Sequence, residues 1–303
     1  MIRTKSGAAA LSIGSNALLI AIKLAAGAIT GSIAIVTEAV HSLIDLLASV
    51  IAFVSVRKAD EPADAGHPYG HEKVESLAAT IEGMLILVGA GIIVYEATHR
   101  LVVGSTVQSL GVGMVVMGFS VLANLGVSTV ISQQARAHDS PALEGDAAHL
   151  RADALTSAGV LGGLALVKIT GDAAFDSITA LVVAVAIVTA GLRIIRRSSG
   201  VLVDEALPSG EMDRIEAAIG ASRTAEVAGY HRLRARRAGA RRYIDLHVQY
   251  RSGTSLERAH QLAHRMRDEI EAKVDGAEVL IHVEPETSVR ESDAAAGGPY
   301  RSG

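Results

Sequence analysis

Six long apolar segments constrain this chain more than any other feature of its sequence. Each is close to the roughly 20 residues that an α-helix needs to cross the hydrocarbon core of a bilayer. Backbone groups inside lipid must be hydrogen-bonded within the protein, and a helix achieves this by itself. The sequence therefore predicts a bundle of six transmembrane helices, over residues 8–30, 33–56, 76–98, 108–132, 144–169 and 173–195.

Composition divides the chain into an apolar part and a polar part. Half of the 303 residues are hydrophobic and the mean hydropathy is +0.35, but the last third is polar. We predict a six-span transmembrane domain over 1–204, a water-exposed domain over 205–288, and a disordered tail over 289–303. Cysteine is absent, which excludes disulfides and thiolate metal sites. Any metal must therefore be bound by His, Asp and Glu.

The polar third predicts a small α+β domain. SGEMDRIEAAIGAS is typical of a helix, and two alternating segments after it predict strands joined by a glycine-containing turn. An amphipathic helix follows, with Thr254 or Ser255 as N-cap, and AEVLIHVEP predicts a last strand. The order αββαβ indicates a ferredoxin- or metallochaperone-like domain, with helices on one face of a three-stranded sheet.

Basic residues predict the orientation in the membrane. They concentrate before the first span, after the even-numbered spans and at the start of the third, at Arg3, Lys5, Arg57, Lys58, Lys73, Arg136, Arg193, Arg196 and Arg197. By the positive-inside rule we expect a multi-pass protein of the inner (plasma) membrane with both termini in the cytoplasm. The arginine-rich string at 232–242 lacks interleaved aromatics, so we expect it near anionic lipid and expect no nucleic-acid partner.

Two His-x-x-x-Asp pairs lie within the second and fifth apolar segments. They are His41 with Asp45, and His149 with Asp153. Positions i and i+4 share a helix face, so two such helices side by side offer two nitrogens and two oxygens, a set that suits tetrahedral zinc. We expect the fifth helix to begin near Ala142, which places His149 at membrane depth. Ionisable groups in a bilayer indicate a substrate path, and these pairs predict a divalent-metal transporter.

The alternative interpretation is that the pairs only hydrogen-bond between helices and stabilise the bundle. The duplicated spacing favours the metal site.

Two further groups of ligand-type residues lie outside the spans. The first is Asp64-x-x-His67-x-x-x-His71, three potential ligands in the loop between spans two and three, where a solvated polar loop is the alternative. The second is in the polar domain, where surface histidines are the alternative. Strand alternation places His282 and Glu284 on one face. The residues of this second group are His231, His247, His260, His282 and Glu284.

These motifs together resemble the cation diffusion facilitator family of zinc/proton antiporters, which have six spans and a cytoplasmic domain. The resemblance covers residues 8–288 and is carried by HSLID, HLRAD, the loop DAGHPYGHEKVES and the His-bearing αββαβ region. It implies a second zinc at the loop and a binuclear zinc site that bridges the cytoplasmic domains of a homodimer. The last ligand of that site is usually Asp in the family, so Glu284 is a longer substitute.

The ligand types favour zinc. Many bacterial members of the family carry Asp-x-x-x-Asp on span two, whereas this chain has His41, as in zinc-selective eukaryotic members. Zinc accepts imidazole well, while manganese and magnesium prefer oxygen. We predict zinc efflux by zinc/proton antiport with alternating access, leaving cadmium, iron, manganese and cobalt open. Zinc is expected as substrate and as structural or regulatory ligand, with protons as the counter-ion and no prosthetic group.

Two other classes of protein fit the sequence less well than a transporter. A membrane metalloenzyme is disfavoured because the chain lacks His-Glu-x-x-His and its paired motifs leave no evident base or nucleophile. A metal-sensing receptor would not need matched ligands in two spans. We therefore expect that the protein is not an enzyme.

Overall fold

The computed structural model describes residues 4–30, 33–103, 111–172, 174–287 and 301–302. Within these ranges the side chains of residues 30, 33–41, 44, 103, 111–113, 164, 301 and 302 are outside the description. The chain divides into two compact units, residues 1–200 and 201–303.

The first unit is made of six long helices in chain order. Their bounds are α1 Lys5–Thr30, α2 Ile33–Ala59, α3 Lys73–Val103, α4 Gly111–Ala137, α5 Pro141–Thr170 and α6 Ala174–Leu202. Over their described residues, five of these helices (α1, α3, α4, α5 and α6) are long and apolar enough, by length and composition, to cross a membrane. α2 has 27 residues, or about 40 Å at 1.5 Å per residue. The predicted six-helix architecture is confirmed.

Several helices extend beyond the predicted apolar segments, because helices can continue where the chain leaves lipid. α3 runs five residues past the predicted end at 98, and Arg100 lies in this extension, one turn after Glu96. These side chains form an exposed i,i+4 ion pair, with Arg100 Nε 2.9 Å from Glu96 Oε1. α5 starts at Pro141, as expected from the placement of His149, and Ser140 caps it by accepting a hydrogen bond from Leu143 N.

The bundle has its densest core where the first turns of α5 meet neighbouring helices. α5 packs against α4, α3, α2 and α1, and α1 against α2 and α4. Small residues permit close approach: a Cβ on Gly191 of α6 would lie 3.3 Å from the carbonyl oxygen of Gly83 on α3. The buried apolar residues of this core come from five helices, namely Ala8, Ala9, Val56, Ala78, Ile131, Ala135, Ala142, Leu143, Ala147 and Leu150.

The second unit is the predicted αββαβ domain with one added strand. Its elements are α7 Ser209–Ala221, β1 Val227–Ala238, β2 Arg241–Tyr250, α8 Leu256–Lys273, β3 Ala277–Pro285 and β4 Arg301–Ser302. The strand order is β3-β2-β1-β4, with β1 antiparallel to β2 and β2 parallel to β3. Of the tail predicted over 289–303, residues 289–300 and 303 lie outside the described ranges, and residues 301–302 form β4.

Both helices cover one face of the sheet. Ile215 and Ile219 of α7 and Met266 of α8 pack with Ile244 and Leu246 of β2. The turn between β1 and β2 uses Gly239 at φ 56°, a conformation that glycine adopts without steric cost. No helix of this unit packs on the opposite face among the described residues, and that face carries the strand histidines described below.

Candidate metal sites

Asp45 of α2 meets His149 and Asp153 of α5 inside the bundle, and we name these three residues the α2–α5 cluster. The Nε2 atom of His149 lies 3.3 Å from Oδ1 of Asp45 and 4.0 Å from Oδ2 of Asp153. One ligand atom from each residue lies within 4.8 Å of the others. His41 is one helical turn before Asp45 on α2, and its side chain lies outside the described residues. The three members of the two His-x-x-x-Asp pairs whose side chains are described therefore lie together.

The cluster is shielded from solvent. Asp45 is 6% exposed and His149 is 5% exposed. The neighbouring turns of α2 carry alanines that are fully buried, Ala48 and Ala52, and their small side chains let α5 approach closely. A cation bound between this buried carboxylate and imidazole is attracted more strongly than it would be in water, because the surroundings have a low dielectric constant.

A hydrogen-bond network among three helices supports the cluster. Asn16 of α1 donates to Ser49 Oγ at 2.9 Å and to the backbone oxygen of Asp45 at 3.4 Å. Ser12 and Ser49 donate to Oδ1 of Asp146 at 2.9 and 3.1 Å. Sequence reasoning did not identify the two serines, because a serine in an apolar helix follows no spacing rule that separates this role from simple packing.

The loop residues Asp64, His67 and His71 also converge, and we name them the loop cluster. Asp64 Oδ1 lies 3.4 Å from His67 Nδ1, and Asp64 Oδ2 lies 3.4 Å from His71 Nε2. His71 is 3% exposed, and neither ring nitrogen has a hydrogen-bond partner among the described residues. Hydrogen bonds from the backbone N–H groups of His67 and Gly66 hold the pKa of Asp64 below its ordinary value, so its carboxylate is charged and available to a cation.

The third group lies on the sheet face away from the helices, and we name His231, His247, His282 and Glu284 the sheet cluster. His231 pairs with His247 across β1 and β2, and His247 pairs with His282 across β2 and β3. His231 Nε2 lies 2.9 Å from Glu284 Oε2, and His247 Nδ1 lies 2.6 Å from Glu284 Oε1. His282 Nε2 is 3.5 Å from Oε1 of the same carboxylate.

Glu284 is the centre of the sheet cluster. Burial raises the pKa of Glu284, but the hydrogen bonds from His231 and His247 outweigh that effect, so its pKa lies below the ordinary value. One carboxylate therefore holds two imidazoles in place through its two oxygens. The longer Glu side chain reaches both rings although the family usually has Asp at this position.

His260 does not join the sheet cluster within one chain. It is exposed on α8, and its ring lies 4.3 Å from that of His264, one turn further on. α8 packs through Ala259 and Leu262 against the helix-covered side of the sheet. The sequence placed His260 on the second helix correctly, and its part in a site that bridges two cytoplasmic domains stays a prediction.

Comparisons with known proteins agree with this architecture. Residues 9–203 match the family model of the cation efflux transmembrane domain, and residues 207–286 match that of the cation efflux protein cytoplasmic domain. The uncharacterized transporter sll1263 of Synechocystis is 31% identical over 91% of this chain and 89% of that protein. The cation-efflux pump FieF of Serratia proteamaculans is 32% identical over 93% of each chain.

Among solved structures, the metal-bound C-terminal domain of the CzcD transporter from Thermotoga maritima is 32% identical. The match covers 28% of this chain and all of that one, with a TM-score of 0.25. The two family models together span almost all of the chain from residue 9 to 286. The chain therefore belongs to the cation efflux, or cation diffusion facilitator, family of membrane transporters.

Proposed function

We propose that this cation efflux protein exports zinc from the cytoplasm in exchange for protons. The observation that carries the proposal is the approach of His149 Nε2 to Asp45 Oδ1, 3.3 Å apart and buried between α2 and α5. Two carboxylates and one imidazole converge there, and His41 is one turn from Asp45. We assign His41, Asp45, His149 and Asp153 as the four ligands of the transported ion.

The donor set supports zinc as the substrate. Two imidazoles and two carboxylates match the N/O coordination that tetrahedral zinc accepts. The chain contains no cysteine, so it has no thiolate ligands of the kind that favour copper(I). Manganese and magnesium prefer oxygen ligands and higher coordination numbers, and two imidazoles disfavour them.

Protons and zinc compete for the same side chains, and this supports exchange. Zinc binding needs a neutral imidazole and ionised carboxylates, so protonation of His149 or Asp153 opposes it. If the cluster opens alternately to each side of the membrane, protons from outside displace zinc, and zinc from the cytoplasm displaces protons. We place the protein in the inner (plasma) membrane with both termini cytoplasmic, on the distribution of basic residues.

The loop and sheet clusters are proposed as regulatory zinc sites. The loop cluster combines a charged carboxylate with the buried ring of His71 close to the start of α3. The sheet cluster belongs to a domain whose family description is cytoplasmic, so it would sense cytoplasmic zinc. His260 is exposed on α8, where a second copy of the domain has access to it. We propose a homodimer on this basis.

The experiment is metal flux into sealed proteoliposomes with an imposed pH gradient. We expect zinc uptake that follows the gradient, with slower manganese and iron uptake, and a simultaneous proton flux in the opposite direction. Zinc flux that ignores the pH gradient would indicate a channel. No flux of any metal by folded protein would favour a receptor or an enzyme and contradict the proposal.

A further inference from the structure

A second pair of buried acids lies beside the α2–α5 cluster without belonging to it. Glu82 of α3 and Asp146 of α5 are each 0% exposed. Asp146 comes one helical turn before His149 on the same helix, and the Glu82 carboxyl packs against Gly145, the residue before Asp146. The proposed transport chemistry assigns no role to either acid. We name Glu82 and Asp146 the carboxyl pair.

The two acids have different surroundings. Asp146 Oδ1 accepts hydrogen bonds from Ser12 and Ser49, which suits a charged carboxylate. Both oxygens of Glu82 and Oδ2 of Asp146 are buried and have no hydrogen-bond partner among the described residues. Buried carboxyl oxygens without a hydrogen-bond donor are strongly unfavourable if both groups are charged. A proton on Glu82 removes one charge and supplies a donor.

The backbone of α5 leaves room for the Glu82 carboxyl. A Cβ on Gly145 would run into that carboxyl and would lie 3.2 Å from the Cα of Ala79 on α3. The carboxyl therefore occupies a notch that exists because residue 145 has no side chain. This close fit holds Glu82 beside α5 and away from water.

The charged contacts that other helices make with α3 lie near its two ends. Lys5 of α1 binds Glu75, and Asp176 of α6 lies 3.6 Å from Arg100. α2 contributes the hydroxyl of Ser49, which is directed to Asp146. α6 meets α3 through Gly191 and Gly83. Glu82 packs against Gly145, the residue before Asp146 on α5, and Asp146 lies one helical turn before His149. The carboxyl pair is therefore next to the transport ligands along α5 and separate from them.

We propose that Glu82 carries a proton inside the transport domain and, with Asp146, forms a second proton site of the exchange cycle. This inference rests on the proposed zinc/proton exchange. The step is simple: a carboxylate oxygen of Glu82 takes a proton to become a carboxylic acid and later releases it to the opposite side. A divalent cation fits this pair poorly, because two side chains with three unengaged oxygens supply only part of the six or more oxygen ligands that calcium or magnesium takes.

The test measures zinc and proton fluxes together in proteoliposomes that contain the full-length protein. Glu82→Gln mimics the protonated acid, so we expect zinc flux down its own gradient to persist while fewer protons move per zinc. Glu96→Gln, the same change at an exposed position of α3, should leave the ratio unchanged. An unaltered proton-to-zinc ratio in Glu82→Gln would overturn the inference while leaving zinc export intact.

A second measurement does not depend on transport. Infrared spectroscopy of metal-free protein at neutral pH should show the C=O band of a protonated carboxylic acid. We expect the band to shift when glutamate is carbon-13 labelled and to vanish in Glu82→Gln. If that variant does not fold, Glu82→Asp replaces it. In Glu82→Asp the band should shift when aspartate is carbon-13 labelled and should no longer shift when glutamate is labelled. A neutral-pH spectrum without a glutamic acid band contradicts the inference, whatever the flux experiment gives. So does a loss of bound zinc in Glu82→Gln, which would make the pair a metal site.

Discussion

His149 and Asp45 are 104 residues apart in the chain, yet His149 Nε2 lies 3.3 Å from Asp45 Oδ1 in the interior of the bundle. Each belongs to a His-x-x-x-Asp pair, so the contact brings both pairs to one place. It is the relationship on which the assignment of the transported ion depends.

Replacement of either aspartate in the α2–α5 cluster should stop transport. Asp45→Asn and Asp153→Asn each remove a negative ligand while keeping side-chain shape. Loss of a residue that only hydrogen-bonds to a metal ligand lowers metal affinity or activity by about 10–100-fold. Loss of a ligand itself should cost more, so we expect transport to fall by more than about 100-fold. Zinc flux in proteoliposomes measures this. Asp172→Asn, an exposed change beyond the end of α5, is the matched control, and normal flux in either cluster variant would refute the assignment.

The loop cluster should bind its own zinc. His67→Ala removes one of its three ligand residues and leaves the α2–α5 cluster intact. We expect fewer zinc ions bound per protomer by equilibrium dialysis, with flux changed less than in the aspartate variants. His99→Ala, an exposed histidine on α3, serves as control. An unchanged zinc count in His67→Ala would show that Asp64, His67 and His71 form only a polar turn.

Zinc binding at the sheet cluster should depend more on the charge of Glu284 than on the length of its side chain. Glu284→Gln removes the negative charge that holds His231 and His247, and we expect zinc binding at the sheet cluster to weaken by about 10–100-fold or more. Glu284→Asp keeps the negative charge and introduces the residue that the family usually has at this position, so we expect a smaller loss of zinc binding. Calorimetric zinc titration of the full-length protein compares the two. Equal affinities in both variants would mean that the carboxylate charge is not used for metal binding.

Acid should loosen the contact between Glu226, the residue before β1, and α8. Two hydrogen bonds from Arg258 are the largest cause that holds the pKa of Glu226 at about 2, below the roughly 4.3 of an unfolded chain. A lowered pKa stabilises the folded state above the unfolded pKa, and this contribution is lost as pH falls from about 4 through 2.

Hydrogen exchange measures this loss locally. We expect protection in β1 to decline over that pH window in wild type and to decline less in Glu226→Gln, which has no charge to lose. Glu205→Gln, another exposed acid, should behave as wild type. A Glu226→Gln profile identical to that of wild type would contradict the predicted linkage.

Two glycines of α5 should respond differently to alanine. A Cβ at Gly145 would meet the Glu82 carboxyl and the backbone of Ala79, whereas one at Gly162 meets nothing within 4 Å. We expect Gly145→Ala to destabilise by about 1–3 kcal/mol through overpacking. Gly162→Ala should be neutral or stabilising by up to about 1 kcal/mol, because alanine favours helix. Thermal unfolding in detergent tests this, and equal effects of the two changes would show that the notch is not tightly filled.

Local patterns predicted much of the structure. The apolar segments gave six helices, and i,i+4 spacing correctly placed Asp153 on the same face as His149. Ser255 caps α8 as expected, accepting from Arg258 N at 3.3 Å. These features depend on residues close together in the chain, so the sequence alone contains them.

Long-range packing accounts for what could not be predicted. The serines that bind Asp146 come from α1 and α2, and no spacing rule links them to α5. His260 stays a predicted ligand, because a site that bridges two cytoplasmic domains is formed only when two copies of the chain meet. The notch at Gly145 depends on where α3 crosses α5, which is a property of the assembled bundle.

The most direct test of the account is the position of bound zinc in the full-length protein. An anomalous difference map from zinc-loaded crystals should show a peak between α2 and α5, about 2.0–2.2 Å from nitrogen and oxygen ligands. We predict that His41, Asp45, His149 and Asp153 surround this peak. A zinc-loaded, transport-competent protein with no peak among these residues, or with the metal bound elsewhere in the bundle, would contradict the account.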